Sequence, residues 1–155
     1  MQLSQFILNR KPSYVQEALY QELRDLSRFY QNLTEDIVCA KNRLHKVLQV
    51  TFPELENILS APTGEQYWNL VITFPCNSFV LESDDATLTA IIRQSTAKRI
   101  SEKRVTYLVD KLTKLANQSY CAVKKTSPVI EEVKYYAVEL LRLSEHRQGV
   151  VEEMV

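Results

Sequence analysis

The chain of 155 residues is long enough for one domain with a modest core, and its hydrophobic content of 45% is ordinary for a globular protein. Its 19 basic and 19 acidic residues cancel, so the charge of the whole chain points to no particular partner. Only Gly64 and Gly149 are glycines, which leaves almost nothing for the tight turns of a β-rich fold or for a glycine-rich phosphate loop. We therefore expect an all-α fold.

The sequence lacks the features that mark a membrane protein or a secreted protein. The longest apolar runs, such as Leu70–Phe74, are far shorter than the roughly 20 residues that cross a bilayer. Residues 1–11 lack the basic start and apolar run of a signal peptide. Cys39, Cys76 and Cys121 match neither a disulfide framework nor paired metal ligands. We expect a cytoplasmic protein with no membrane partner, whose cysteines are buried free thiols.

The strongest periodic signal predicts a long helix over residues 13–52, after a leader or linker at residues 1–12. Pro53 ends this helix, because a residue that precedes proline disfavours helical geometry. A helix from about residue 13 to residue 51 would extend roughly 58 Å, too long to bury in a compact globule of this size. Apolar side chains recur in alternating steps of three and four, which is typical of a coiled-coil seam. The predicted seam contains Leu23, Leu26, Tyr30, Leu33, Ile37, Ala40, Leu44 and Val47.

Residues 53–126 are predicted to form a small subdomain of three or so shorter helices. Thr63 and Gln66 have the spacing of a capping box, which starts the first of these helices. Ser83 precedes the second helix and Ser101 precedes the third. The acids Glu82, Asp84 and Asp85 at the start of the second helix are predicted to cap it, because acids in a first turn suit the helix dipole, and a metal-binding or catalytic role is the alternative.

A second heptad-patterned helix is predicted over residues 127–155. Ser127 is a suitable cap and Pro128 suits the first helical position. Its seam contains Val133, Tyr136, Leu140 and Leu143. The two long helices either pair antiparallel in one chain, as a coiled-coil arm that brackets the short helices, or pair between chains. We expect a homodimer, with a higher oligomer left open.

Positive charge is concentrated in one segment. Residues 93–125 carry nine basic and two acidic side chains. Tyr107 and Tyr120 are interspersed there and would suit stacking on nucleic-acid bases. The alternative is a solvated helix face with buried tyrosine rings. The candidate nucleic-acid contacts are Lys98, Arg99, Lys103, Arg104, Lys111 and Lys114.

No set of residues predicts catalysis in this chain. His45 and His146 stand alone on long helices, without companions at the spacing of a metal site. Nucleophile elbows, His-Glu-x-x-His motifs and phosphate loops do not occur. We therefore predict no catalytic residue, no metal site and no cofactor.

Several segments together carry a resemblance to a known family. The chain resembles the central region of prokaryotic insertion-sequence transposases of the IS110 type, nearly throughout its length and in the same order. The segments that carry the resemblance are Tyr20–Tyr30, Lys41–Leu48, Phe52–Leu55, Thr73–Cys76, Arg93–Ser95, Arg99–Ser101 and Leu115–Ser119.

The resemblance implies a role that the pattern alone does not give. Members of this family combine a RuvC-like domain with four acids, a central coiled coil and a domain with a nucleophilic serine. They catalyse DNA recombination, and some use a bridging guide RNA. The resemblance implies that this chain is a central dimerisation and scaffolding fragment, whose serines Ser95, Ser101 and Ser119 do not occupy the nucleophile position. A stand-alone helical adaptor and a nucleic-acid-binding module are the alternatives.

Overall fold

The computed structural model describes residues 12–155, which form helices and no strand. This confirms the all-α prediction and the long first helix. None of the helices in this range is long and apolar enough to cross a membrane. The helices are α1 (Pro12–Thr51), a 3₁₀ helix (Pro53–Asn57), α2 (Glu65–Thr73), α3 (Asn77–Leu81), α4 (Asp85–Gln94), α5 (Glu102–Gln118) and α6 (Pro128–Met154).

The end of α1 follows from Pro53. The Phe52 N–H still donates to the Leu48 carbonyl at 2.8 Å, but Phe52 itself has φ −150° and ψ 68°, outside helical geometry. A proline restricts the residue before it in this way, and it suits the first position of the 3₁₀ helix that follows. The 40 residues of α1 extend about 60 Å at 1.5 Å per residue.

Two of the short helices begin at the predicted caps. The Asp84 carboxylate accepts from the Thr87 N–H at 2.8 Å, and the Ser101 hydroxyl accepts from the Arg104 N–H at 3.2 Å. The bonds with Thr87 hold the pKa of Asp84 below its ordinary value. Each bond satisfies one of the backbone donors that a helix leaves unpaired in its first turn. The capping interpretation of the acids is therefore confirmed for Asp84.

The capping box predicted at the start of α2 is wrong. The residue in the cap position is Gly64, with φ +103°, and no side chain bonds to the first turn. Glycine adopts this left-handed conformation without strain, so the chain turns one residue later than Thr63. The Nε2 of Gln66, the other member of the predicted box, has no partner among the described residues.

The subdomain contains one helix more than the sequence predicts. Four α-helices and a 3₁₀ helix lie between α1 and α6 in the described chain, where three or so were expected. The additional helix is α3, whose five residues are too few for a periodic signal. Asn77 at its start is buried, and its Nδ2 donates to the carbonyls of Ala116 (3.0 Å) and Ser119 (2.9 Å). This side chain fixes α3 to the end of α5.

Contacts divide the chain into two compact units. Among the described residues, one unit comprises residues 12–37 together with Leu143–Val155, and the other comprises Val38–Arg142. In the first unit, the Arg147 guanidinium lies 5.7 Å from the centre of the Tyr30 ring, and its Nη1 donates to the Thr34 hydroxyl at 3.3 Å. The second unit holds the larger core. Its largest fully buried side chains include Phe52, Leu55, Tyr67, Leu70, Phe74, Leu88, Ile92, Leu108 and Leu112.

The cysteines only partly follow the prediction. All three are free thiols, but Cys39 is exposed, so the expected burial is wrong at that position. Cys76 is buried and Cys121 is half-buried. Burial, and next a hydrogen bond with Cys76, raise the pKa of the Cys121 thiol to about 11. The fold therefore brings together two thiols that are far apart in the sequence.

Candidate functional site

The predicted seam of α1 is buried in one part and exposed in another. In the first unit, Leu23 is 46% exposed, Leu26 and Tyr30 are half-buried, and Leu33 and Ile37 are 6% and 1% exposed. In the second unit, Ala40 and Leu44 are buried and Val47 is half-buried. Burial along the seam therefore falls towards the beginning of the helix.

The exposed part of the seam extends further towards the beginning of α1. Leu19 precedes Leu23 by one helical turn and is 55% exposed. Tyr20 (61% exposed) and Phe29 (47%) flank this line and widen it. We call Leu19, Tyr20, Leu23, Leu26 and Phe29 the exposed stripe. A contiguous apolar surface of this kind marks an interaction site on a protein surface.

The predicted seam of α6 belongs to the core of the chain. Val133, Leu140 and Leu143 are buried and Tyr136 is half-buried. Ile130 and Ala137 on the same helix are also buried. These side chains are covered within a single chain, in contrast to the exposed stripe.

Beside Phe29, the first unit contains a groove of about 380 Å³. It is lined by Phe29, Glu145, His146, Gly149, Val150 and Glu153. A side-chain carbon placed on Gly149 would meet no atom within 4 Å, so the floor of the groove is open there. The groove has the size and the apolar edge to receive a side chain from another helix.

The basic residues of α5 form one face around Tyr107. Lys103, Arg104, Lys111 and Lys114 lie three, four or seven residues from Tyr107, a spacing that places side chains on one side of a helix. The Arg104 guanidinium lies 5.4 Å from the centre of the Tyr107 ring, and the Lys111 Nζ lies 5.8 Å from it. We call these four cations and Tyr107 the basic face.

The six candidate nucleic-acid contacts lack carboxylate partners within the described part of the chain. No described acidic side chain forms an ion pair with any of the six candidate contacts, whereas the neighbouring Arg93 pairs with Glu102 at 2.8 Å. Lys98 and Arg99 are exposed in the loop before α5. Tyr107 is 52% exposed and Tyr120 is 86% exposed, so the burial of the tyrosine rings that the alternative expected is wrong, while a solvated helix face stays open.

One of the two histidines and two of the three serines have structural hydrogen bonds. His45 Nδ1 lies 2.8 Å from the Glu56 carboxylate, which also accepts from Gln49 Nε2 at 2.7 Å. Ser95 is buried and its hydroxyl donates to the Ile92 carbonyl at 2.6 Å, and Ser101 caps α5. Ser119 Oγ is buried without a partner among the described residues. His146 is exposed beside the groove of the first unit.

Comparison with known proteins finds a family similarity for part of the chain. The family model of the IS110 type of DEDD transposase, described as a transposase, matches residues 5–53. This match confirms the resemblance over that segment, which contains all of α1. No curated protein and no solved structure matches the chain. The match therefore covers the exposed stripe, while α5 and its basic face lie outside it.

Proposed function

We propose that this chain is a dimerisation and scaffolding part of a DNA transposase. The observation that carries the proposal is the exposed stripe, because it continues the buried part of the predicted seam and lies inside the segment that matches the transposase family. An apolar line at heptad spacing is stabilised by a partner helix. The partner that we propose is a second copy of the chain.

The width of the exposed stripe supports a bundle of more than two helices. A seam between two helices needs only alternating three- and four-residue steps, but Tyr20 and Phe29 extend the stripe to its sides. In a twofold dimer the same surface of each copy faces the other, so the α1 and α6 segments of two first units supply four helices. The open floor at Gly149 would accept a partner side chain in this arrangement.

A dimeric helical scaffold suits transposition for a physical reason. Recombination requires two DNA partners and more than one active site to be held at a fixed separation, and paired helices are stiff over tens of ångströms. The unpaired cations of the basic face support a contact with nucleic-acid phosphates in the same assembly. DNA, and a guide RNA as the resemblance implies, are the proposed partners.

Sedimentation velocity tests the dimer through the exposed stripe. Replacing both Leu19→Asp and Leu23→Asp adds two charges to surfaces that only a partner would cover, so folding should be retained. We expect the wild type at about twice the 18.0 kDa chain mass and this variant at the mass of one chain. Leu33 and Ile37 are less suitable for this test, because an acid there would unfold the chain that already buries them.

The matched control adds the same two charges elsewhere on α1. Gln31→Asp with Asn32→Asp changes two exposed positions outside the stripe and should leave the dimer intact. A wild type with the mass of one chain, or a stripe variant that sediments like the control, would contradict the proposal.

A further inference from the structure

A second groove lies beside the basic face. It has a volume of about 350 Å³, at the lower end of the roughly 300–1,000 Å³ of small-molecule sites. One wall is the segment from Leu59 to Gln66, and the other contains Thr96, Lys98 and Arg104. The Asn69 Nδ2 donates to the Ser95 carbonyl at 2.9 Å, which ties α2 to the end of α4 next to the groove. The two walls are therefore held together before any ligand arrives.

Three side chains in the lining of this groove carry hydrogen-bond donors without an acceptor among the described residues. Lys98 and Arg104 have no carboxylate partner among the described residues, and the same holds for the Nε2 of Gln66. The first turn of α2 is not capped by a side chain, so its backbone N–H groups remain available. Glu65 is the acidic member of the lining, set against two cations. This chemistry favours a phosphate group.

Arg104 connects the groove to the exposed ring of Tyr107. It lines the groove and also lies 5.4 Å from the centre of that ring. A phosphate held by Lys98 and Arg104 is thus next to an aromatic surface that is 52% exposed. Unpaired bases stack on such rings, whereas the bases of a duplex are already stacked on each other. A duplex would gain only the charge interaction.

We propose that the groove and the basic face bind an unpaired nucleic-acid strand, with a backbone phosphate at Lys98 and Arg104 and a base stacked on Tyr107. The inference deepens the nucleic-acid contact proposed above and rests on it. It specifies that the bound nucleic acid is single-stranded. Lys103, Lys111 and Lys114 extend the positive surface along α5 for the neighbouring phosphates.

Fluorescence anisotropy of the full chain with three labelled probes tests this proposal: a 12-nucleotide oligo(U), a 12-nucleotide oligo(dT) and a mixed-sequence DNA duplex of 12 base pairs. We expect a single strand to bind more tightly than the duplex at low salt. Tyr107→Ala should weaken single-strand binding by roughly 10-fold and leave duplex binding unchanged, while Tyr107→Phe should retain the affinity. The oligo(U) and oligo(dT) arms show whether RNA or DNA is preferred.

The salt dependence of binding tests the phosphate contact separately. Lys98→Ala with Arg104→Ala should reduce the salt dependence of single-strand binding, lowering the slope of log affinity against log salt by about 1.4. Matched controls are Arg43→Ala with Lys46→Ala, two exposed cations on α1, and Tyr135→Ala, an exposed tyrosine on α6. These controls should leave the affinity for single strands close to that of the wild type.

The outcomes of these experiments distinguish a failure of the single-strand site from a failure of the proposed dimer. Equal binding of strand and duplex, no effect of Tyr107→Ala, or equal losses in the controls would overturn the single-strand site. A dimer in sedimentation that binds none of the probes at low salt would overturn it alone. A chain that sediments as one copy, yet binds oligo(U) through Tyr107, would overturn the dimer and leave the site standing.

Discussion

Two stretches of α1 share one apolar periodicity but differ in what covers them. From Leu33 to Val47 the apolar side chains of the seam are mostly buried, as is the neighbouring Leu48, whereas from Leu19 to Leu26 they are exposed or half-buried. The steps of three and four are the same in both stretches. Periodicity therefore identifies the face of a helix that packs against another surface, while the rest of the fold decides what covers that face.

The largest expected effect comes from truncating the buried stretch. Leu48→Ala and Ile37→Ala should each lower the free energy of unfolding by about 2–5 kcal/mol, because they leave cavities at side chains that are 0% and 1% exposed. Chemical denaturation at low protein concentration measures this. Leu23→Ala is the control at the exposed stretch and should change the stability of the single chain little. Equal losses at all three positions would remove the distinction between the stretches.

A smaller effect is expected where the two stretches meet. Arg147 lies over Tyr30 and bonds to Thr34, between the exposed Leu23 and the buried Ile37. Arg147→Ala should cost about 1 kcal/mol in thermal or denaturant unfolding, since it removes a cation–ring contact and a hydrogen bond. Arg28→Ala removes an exposed arginine of α1 and serves as the control. Similar stability of the two variants would show that the Arg147 contacts contribute nothing.

The weakest effect is expected at Asp84, which is distant in the sequence from both stretches of α1. Its pKa is lower in the folded chain than its ordinary value of 3.8, because it accepts hydrogen bonds from Thr87. Its contribution is therefore complete above that ordinary value and is lost as the pH falls through the lower folded value. Asp84→Asn keeps a capping oxygen but should lack this loss. Unfolding of both proteins over an acid pH series measures it, and parallel curves would contradict the assignment.

The sequence predicts features that depend on neighbouring residues better than features that depend on distant ones. Proline at 53 and the caps at Asp84 and Ser101 act within a few residues, and each is found where the pattern places it. Gly64 displaced the predicted cap at Thr63, because a left-handed glycine is a turn signal that competes with a capping box. Residues that meet across the chain, such as Asn77 with Ala116, leave no periodic trace.

For the candidate site, the sequence predicts which residues take part but not how the fold arranges them. The nine basic residues of 93–125 are visible in the sequence, and helical spacing places four of them around Tyr107. The groove between Gly64 and Lys98 depends on how the α2 and α4 ends are joined through Asn69 and Ser95. The exposure of the Tyr107 ring and the lack of ion pairs at the six candidate contacts, among the described residues, are also properties of the folded chain.

Hydrogen–deuterium exchange of the backbone amides in residues 14–26, measured at two protein concentrations, tests the central claim most directly. A helix segment with few buried side chains opens readily by itself, so its amides exchange fast unless a partner covers it. We predict slow exchange at high concentration and fast exchange after dilution below the dissociation constant, while residues 33–48 stay protected throughout. Fast exchange in residues 14–26 at both concentrations would contradict the claim that a second copy covers the exposed stripe.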